Sequence, residues 1–245
     1  MLLVVVSQQL YISKMFYILL INFLELLSSI LGRNYVAKYR NDNGIRYFVY
    51  FLFFTCFVEV LGWLPRGIYY LESFSFLKDT FLKRNYWLYN IYFIISYTIY
   101  VFYFYSQVKS TKFRKILYFI LIFYSISCVL NILLSKVYFN AYASYTFILG
   151  TLFVFISVAF YYFEILQSNR ILTFHKSISF YISIGTLVFH LAVTPLLIYS
   201  KYFNSTKSPD FVQIHRIILT SANIFMYTCY SIGFIVCYRK NKSYS

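Results

Sequence analysis

Charge is what this chain has least of. Lysine, arginine, aspartate and glutamate make up 12% of its 245 residues, where a soluble domain carries about a quarter. Acids are scarcer still, with 7 Asp and Glu against 22 Lys and Arg. There is no Gly/Ser-rich linker and no loop long enough to hold a second domain. The four cysteines (Cys56, Cys128, Cys229, Cys237) all lie inside apolar runs, and none has the spacing of a zinc or redox motif, which favours buried, inert thiols.

Catalytic signatures are missing as well. No His-Glu-x-x-His occurs, and His175, His190 and His215 are too scattered for a zinc site. Phosphate-loop and Rossmann fingerprints are absent, as is a serine-histidine-acid set that spacing alone could assemble. The last apolar segment, Ile217 to Tyr238, has no lysine for a retinal Schiff base. An acid-Arg-Tyr after the third segment is lacking too; that segment ends Tyr105-Ser106-Gln107. The reading leans away from an enzyme, with a site assembled from residues on different helices as the alternative, and expects no cofactor and no metal.

What is present is apolar surface. Hydrophobic residues are 61% of the chain and mean hydropathy is +0.67, far beyond what one core of this length can bury. Lipid is the solvent that accepts the surplus. Runs long enough to cross it, about 20 residues each, fall near 15–32, 47–64, 86–106, 115–134, 144–166, 177–199 and 217–238. The runs are continuous and do not alternate, which excludes sheets. The fold class is all-α, a polytopic transmembrane bundle of about seven helices in a single membrane domain. The stretch 65–85 is expected to form a short surface helix. Before the first span, Lys14 follows the apolar run Met1–Val6, the wrong order for a signal peptide. Met15 is an alternative start, and otherwise residues 1–13 extend the first helix or lie on the interface. The 29 Tyr and 29 Phe reflect AT-rich codon usage, with tyrosines expected at the membrane interfaces.

A net charge of +15 would suggest nucleic acid in a soluble protein. Here the cations sit in short loops, where anionic lipid headgroups are the natural partner. One side carries 13 Lys/Arg and a single acid, Asp42; the other carries 9 Lys/Arg with Glu72, Asp79 and Asp210. This bias predicts an outside N-terminus and a cytoplasmic C-terminus. The cluster Lys109, Lys112, Arg114 and Lys115 carries most of its weight and is the expected contact for a cytoplasmic or membrane signalling protein.

Three carboxylates fall within spans: Glu25, Glu59 and Glu164. A charge near a helix centre costs on the order of 3 kcal/mol and is neutralised, paired or turned to a cavity. Glu164 lies near a helix end and reads as interfacial. Asn22 precedes Glu25 by three residues and Trp63 follows Glu59 by four, each pair on one helical face. In the seven-span topology Glu59, Asn90, Asn131, His190 and Asn223 fall at similar depth. They form either a set of interhelical hydrogen bonds or an outward-opening polar cavity. His190 is followed by Pro195, whose ring frees a backbone carbonyl and kinks the helix; Glu59 and Pro65 repeat this loosely. The candidate ligand-binding residues are Glu59, Trp63, Asn90, Asn131, His190, Asn223, Asn22 and Glu25.

Several segments carry a family likeness: Glu25-Leu26-Leu27, Phe57-Val58-Glu59-Val60-Leu61-Gly62-Trp63 and Asn85-Tyr86-Trp87-Leu88-Tyr89-Asn90-Ile91-Tyr92. Phe147-Ile148-Leu149-Gly150-Thr151 and Ile182-Ser183-Ile184-Gly185 add to it. Together they resemble a group of uncharacterised seven-helix membrane proteins of flavobacteria and their relatives. The resemblance implies a bacterial cytoplasmic membrane and no established activity. Two functional readings follow: a non-enzymatic sensory or partner-binding membrane subunit, or a small proton-coupled transporter using Glu59, Glu25 and His190.

Overall fold

The computed structural model describes residues 2–39, 42–199 and 209–240. Among these, every regular element is helical: α1 Leu2–Lys38, α2 Asn43–Gly62, α3 Leu64–Tyr70, α4 Tyr86–Gln107, α5 Thr111–Leu134, α6 Ser144–Leu166, α7 Ile178–Tyr199 and α8 Pro209–Lys240. Seven segments are long and apolar enough to cross a membrane: Met15–Lys38, Asn43–Tyr70, Tyr86–Gln107, Thr111–Leu134, Ser144–Leu166, Ile178–Tyr199 and Asp210–Arg239. The chain is thus an all-α, multi-pass membrane protein. Of the loop cations counted above, Arg40, Lys201, Lys207 and Lys242 lie outside the described residues.

The first, second and seventh spans run further than hydropathy suggested. Hydropathy stops at the first charges, whereas a helix continues into the headgroups as long as its own hydrogen bonds are made. The second span is broken where Pro65, lacking an N–H, restarts the chain as α3; Trp63 N–H turns back to the Val60 carbonyl at 3.1 Å. The stretch 65–85 holds the rest of α3 and two 3-10 turns, Glu72–Leu77 and Phe81–Lys83.

The chain divides into two compact units, residues 36–174 and the combination of 1–35 with 175–245. In the unit 36–174, α4 packs against α2, α5 and α6. Lipid offers no hydrophobic drive between helices, so close approach depends on small residues and interlocking shapes. Gly150 of α6 lies directly under the Tyr97 ring, and Gly44 of α2 against the Ser106 hydroxyl. Tyrosines, expected at the interfaces, also fill this core. Tyr97, Tyr100, Tyr103 and Tyr124 are all buried; Tyr100 and Tyr103 pack against neighbouring rings, and the Tyr97 and Tyr124 hydroxyls are bonded. Tyr124 donates to the Thr146 carbonyl at 3.2 Å, and Tyr97 shares a hydrogen bond with Thr151 at 3.2 Å. At the other end of α4, Asp42 caps α2 by accepting from Ile45 N–H at 3.0 Å and takes the Gln107 amide at 3.1 Å.

In the other unit α7 packs along α8. Gly185 meets Tyr230 and the Met226 carbonyl, and Gly233 meets Tyr181; a methyl group at either would fall within 3.0 Å of its neighbour. The Thr186 and Tyr230 hydroxyls join at 2.8 Å. The four cysteines are free thiols; Cys128 and Cys237 are buried, while Cys56 and Cys229 are half-buried.

Candidate functional site

A carboxylate inside an apolar span needs a partner, and Glu59 finds one on α4. The Tyr89 hydroxyl faces both carboxylate oxygens, each at 3.3 Å. That is longer than the ~2.7–2.8 Å usual for an O–H···O bond, so the phenol holds the carboxylate loosely. Gly62 makes the approach possible. It lies three residues beyond Glu59 on the same helical face, and a Cβ there would stand 2.7 Å from the Tyr89 oxygen. Asn85, one turn before Tyr89, donates to the Gly62 carbonyl at 2.8 Å. That carbonyl is one of those the end of α2 leaves open. The start of α4 is thereby clamped to the end of α2.

Aromatic rings frame the pair. Tyr92 stands edge-on to Tyr89 at 6.2 Å and Tyr142 at 6.4 Å. Tyr142 comes from the α5–α6 connection and packs against Tyr86 at 4.9 Å. Burial, then the Tyr86 phenol and the Glu59 carboxylate, push the Tyr142 phenol above its ordinary pKa. Arg66, exposed on α3, lies over the Trp63 ring at 4.9 Å and attracts Glu59 electrostatically. The site therefore offers a loosely held carboxylate among several aromatic rings, with Arg66 over Trp63 at 4.9 Å and Arg84 over Tyr86 at 6.0 Å as its nearby cations.

Asn90 sits next to this site but serves another purpose. Its amide nitrogen donates to the carbonyls of Tyr138 at 3.0 Å and Ala141 at 2.9 Å, and its oxygen accepts from Ala143 N–H at 2.9 Å. Ala143 is the N-cap of α6, and Asn90 accepts its own N–H, the donor that the N3 side chain of a capping box would otherwise meet. Of the predicted residues in this unit, Glu59, Trp63 and Asn90 lie at one end of α2 and α4. Asn131 is half-buried in the last turn of α5, where its carbonyl accepts from Ser135 N–H at 3.0 Å.

Glu164 is more than an interfacial residue. One carboxylate oxygen accepts from Lys109 N–H at 2.8 Å and Ser110 N–H at 2.9 Å. It fixes the loop that holds Lys109 and serves the start of α5, which carries Lys112, Arg114 and Lys115 and whose N-cap Ser110 makes no side-chain cap bond of its own.

Asn22, Glu25, His190 and Asn223 belong to the second unit. Glu25 is 1% exposed and His190 4%. Asn22 is half-buried on α1, and Asn223 donates back to the Leu219 carbonyl of its own helix at 2.8 Å. His190 belongs to a buried polar stripe on α7 that reading the sequence missed: Ser179, Ser183, Thr186, His190 and Thr194. Their steps of three and four residues place them on one helical face. That spacing was the available signal. Tyr89 was also missed; the signal for it was a glycine on the face of Glu59. Among the described residues, no group of three or more His, Cys, Asp or Glu is placed to hold a metal ion.

Compared with known protein families, curated proteins and solved structures, the chain matches none.

Proposed function

We propose that this chain is a non-enzymatic multi-pass subunit of a bacterial cytoplasmic membrane, sensory or partner-binding, with Glu59 and Tyr89 as its recognition group. The observation that supports this reading is the carboxylate inside an apolar span whose sole hydrogen-bond partner among the described residues is one phenol at 3.3 Å. A carboxylate flanked by aromatic faces suits a small cationic or amine ligand. With the N-terminus outside and the C-terminus cytoplasmic, the site lies in the outer half of the membrane. The same α4 that carries Tyr89 in its first turn ends at Gln107, beside the loop of Lys109 and the opening turns of α5, which carry Lys112, Arg114 and Lys115. That loop faces a cytoplasmic signalling partner, so α4 links recognition to output.

Burial of Glu25 and His190 inside spans of one unit favours a second reading, a small proton-coupled transporter. Proteoliposomes holding only this chain separate the two. Under an imposed pH gradient the subunit reading expects no proton flux. Flux that Glu59→Gln, Glu25→Gln or His190→Asn abolishes establishes the transporter and sinks the subunit.

A further inference from the structure

An open groove of about 650 Å³ runs along the unit 36–174 between α2, α4 and α5. Its walls are apolar, and its lining includes Tyr47 from α2, Phe102 from α4, and Leu121 and Ile126 from α5. Three of its lining residues carry hydroxyls, Tyr47, Thr98 and Ser125, and those of Thr98 and Ser125 are engaged. Thr98 donates to the Ile94 carbonyl at 2.7 Å, and its oxygen meets Ser125 at 3.4 Å. Apart from the exposed Tyr47 phenol, the groove offers a ligand only apolar surface.

The groove leads to a cation. On α5, Leu121 and Ser125 follow Arg114 at steps of seven and eleven residues, and Ile122 and Ile126 follow Lys115 at the same steps. Both steps return to one helical face. On α4, Thr98, Phe102 and Tyr105 share a face in the same way. Arg114 joins the two walls at the mouth: its guanidinium lies over the Tyr105 ring at 4.9 Å and donates to the Tyr105 hydroxyl at 3.3 Å. From Arg114 to Ile126 the helix rises about 18 Å, close to the ~15 Å of one hydrocarbon leaflet.

We propose that this groove holds one acyl chain of an anionic phospholipid, with the phosphate at Arg114 and Lys115. Lys109 and Lys112 remain for the partner protein. A second copy of the chain suits the groove poorly. Membrane helices approach closely over small residues, whereas six of the eight lining residues are isoleucine, leucine, phenylalanine or tyrosine, and the two small ones, Thr98 and Ser125, already bond each other. A single flexible alkyl chain fits between bulky walls, and a phosphate complements the cations at the mouth.

The test uses the full chain in nanodiscs made from equal parts phosphatidylglycerol and phosphatidylcholine with identical acyl chains. Lipids retained after transfer to detergent are counted by native mass spectrometry. Wild type is expected to keep one phosphatidylglycerol in preference to phosphatidylcholine. Each neutralised cation, Arg114→Gln or Lys115→Gln, is expected to lower that preference roughly fivefold. Both side chains are exposed, so folding is not at stake. A photoreactive acyl chain on phosphatidylglycerol provides a readout that needs no variant, and its cross-links are expected on the α4 and α5 walls. Equal retention of the two lipids, or cross-links confined to other faces, overturns the proposal. So does a dimer whose interface protects Ile122 and Ile126, since a second copy would then occupy the groove.

Discussion

Replacing Asn90 with alanine tests whether the α5–α6 connection hangs on one side chain. The residue is fully buried, and its amide makes two donor bonds and one acceptor bond to the backbone of Tyr138, Ala141 and Ala143. Hydrogen bonds inside membrane proteins contribute about 0.6–2 kcal/mol each, and removing one partner leaves the other buried and unmet. Three such bonds place the expected loss for Asn90→Ala at about 2–4 kcal/mol. Asn90→Asp is the sharper variant. It keeps the shape and the acceptor for Ala143 but sets a carboxylate oxygen against two carbonyls, so it is expected to destabilise at least as much as alanine. Reversible unfolding in mixed micelles of mild detergent and dodecyl sulfate measures both. Had Asn90 faced an open cavity, Asn90→Ala would cost little. A change below about 0.5 kcal/mol, the range of ordinary surface substitutions, refutes the assignment.

Gly62→Ala is expected to push the Tyr89 hydroxyl off Glu59, because the new methyl group would stand 2.7 Å from it. Cysteine cross-linking between α2 and α4 should then fall, and an unchanged cross-linking pattern would show that Tyr89 tolerates the methyl. Glu164→Gln keeps an acceptor for Lys109 and Ser110 N–H but loses the charge that strengthens both bonds. The loss is expected at about 1–2 kcal/mol, with faster trypsin cleavage at Lys109. Cleavage at the wild-type rate would mean the loop is held by other contacts.

Much of the architecture was legible because span length and apolar content are properties of composition, read one residue at a time. The break after Trp63 was visible in Pro65, and Glu59 stood out because acids are rare in such runs. Tyr89 was not visible. Tyrosine is so common in this chain that no single ring attracts notice, and its pairing with Glu59 depends on the register of α2 against α4. That register is set by Gly62 and Asn85, and of these only the glycine on the face of Glu59 marks the approach in sequence. Glu164 was misjudged for a related reason: its partners are backbone N–H groups more than fifty residues away, and backbone donors carry no sequence label. The α7 stripe was overlooked because serine and threonine scarcely lower hydropathy, so His190 looked isolated.

Depth in the membrane grouped the polar residues of the unit 36–174, but hydrogen-bond capacity separates them. The Asn90 amide has both of its hydrogens donated and its oxygen accepting within a fully buried side chain, so it has no donor left to offer a ligand. Glu164 meets two backbone donors of a loop at ordinary distances, which explains its place without invoking recognition. Glu59 differs in kind. A carboxylate has about four acceptor sites, and here one phenol proton is shared between its two oxygens at 3.3 Å. In a span where water is scarce, such a group is neutralised by a proton or completed by a further donor. Helix packing alone gives no reason to retain such a group, since an apolar residue beside Tyr89 would cost less to bury. The incomplete bonding of Glu59 therefore makes it, more than its depth does, the residue in this unit whose chemistry a ligand would complete.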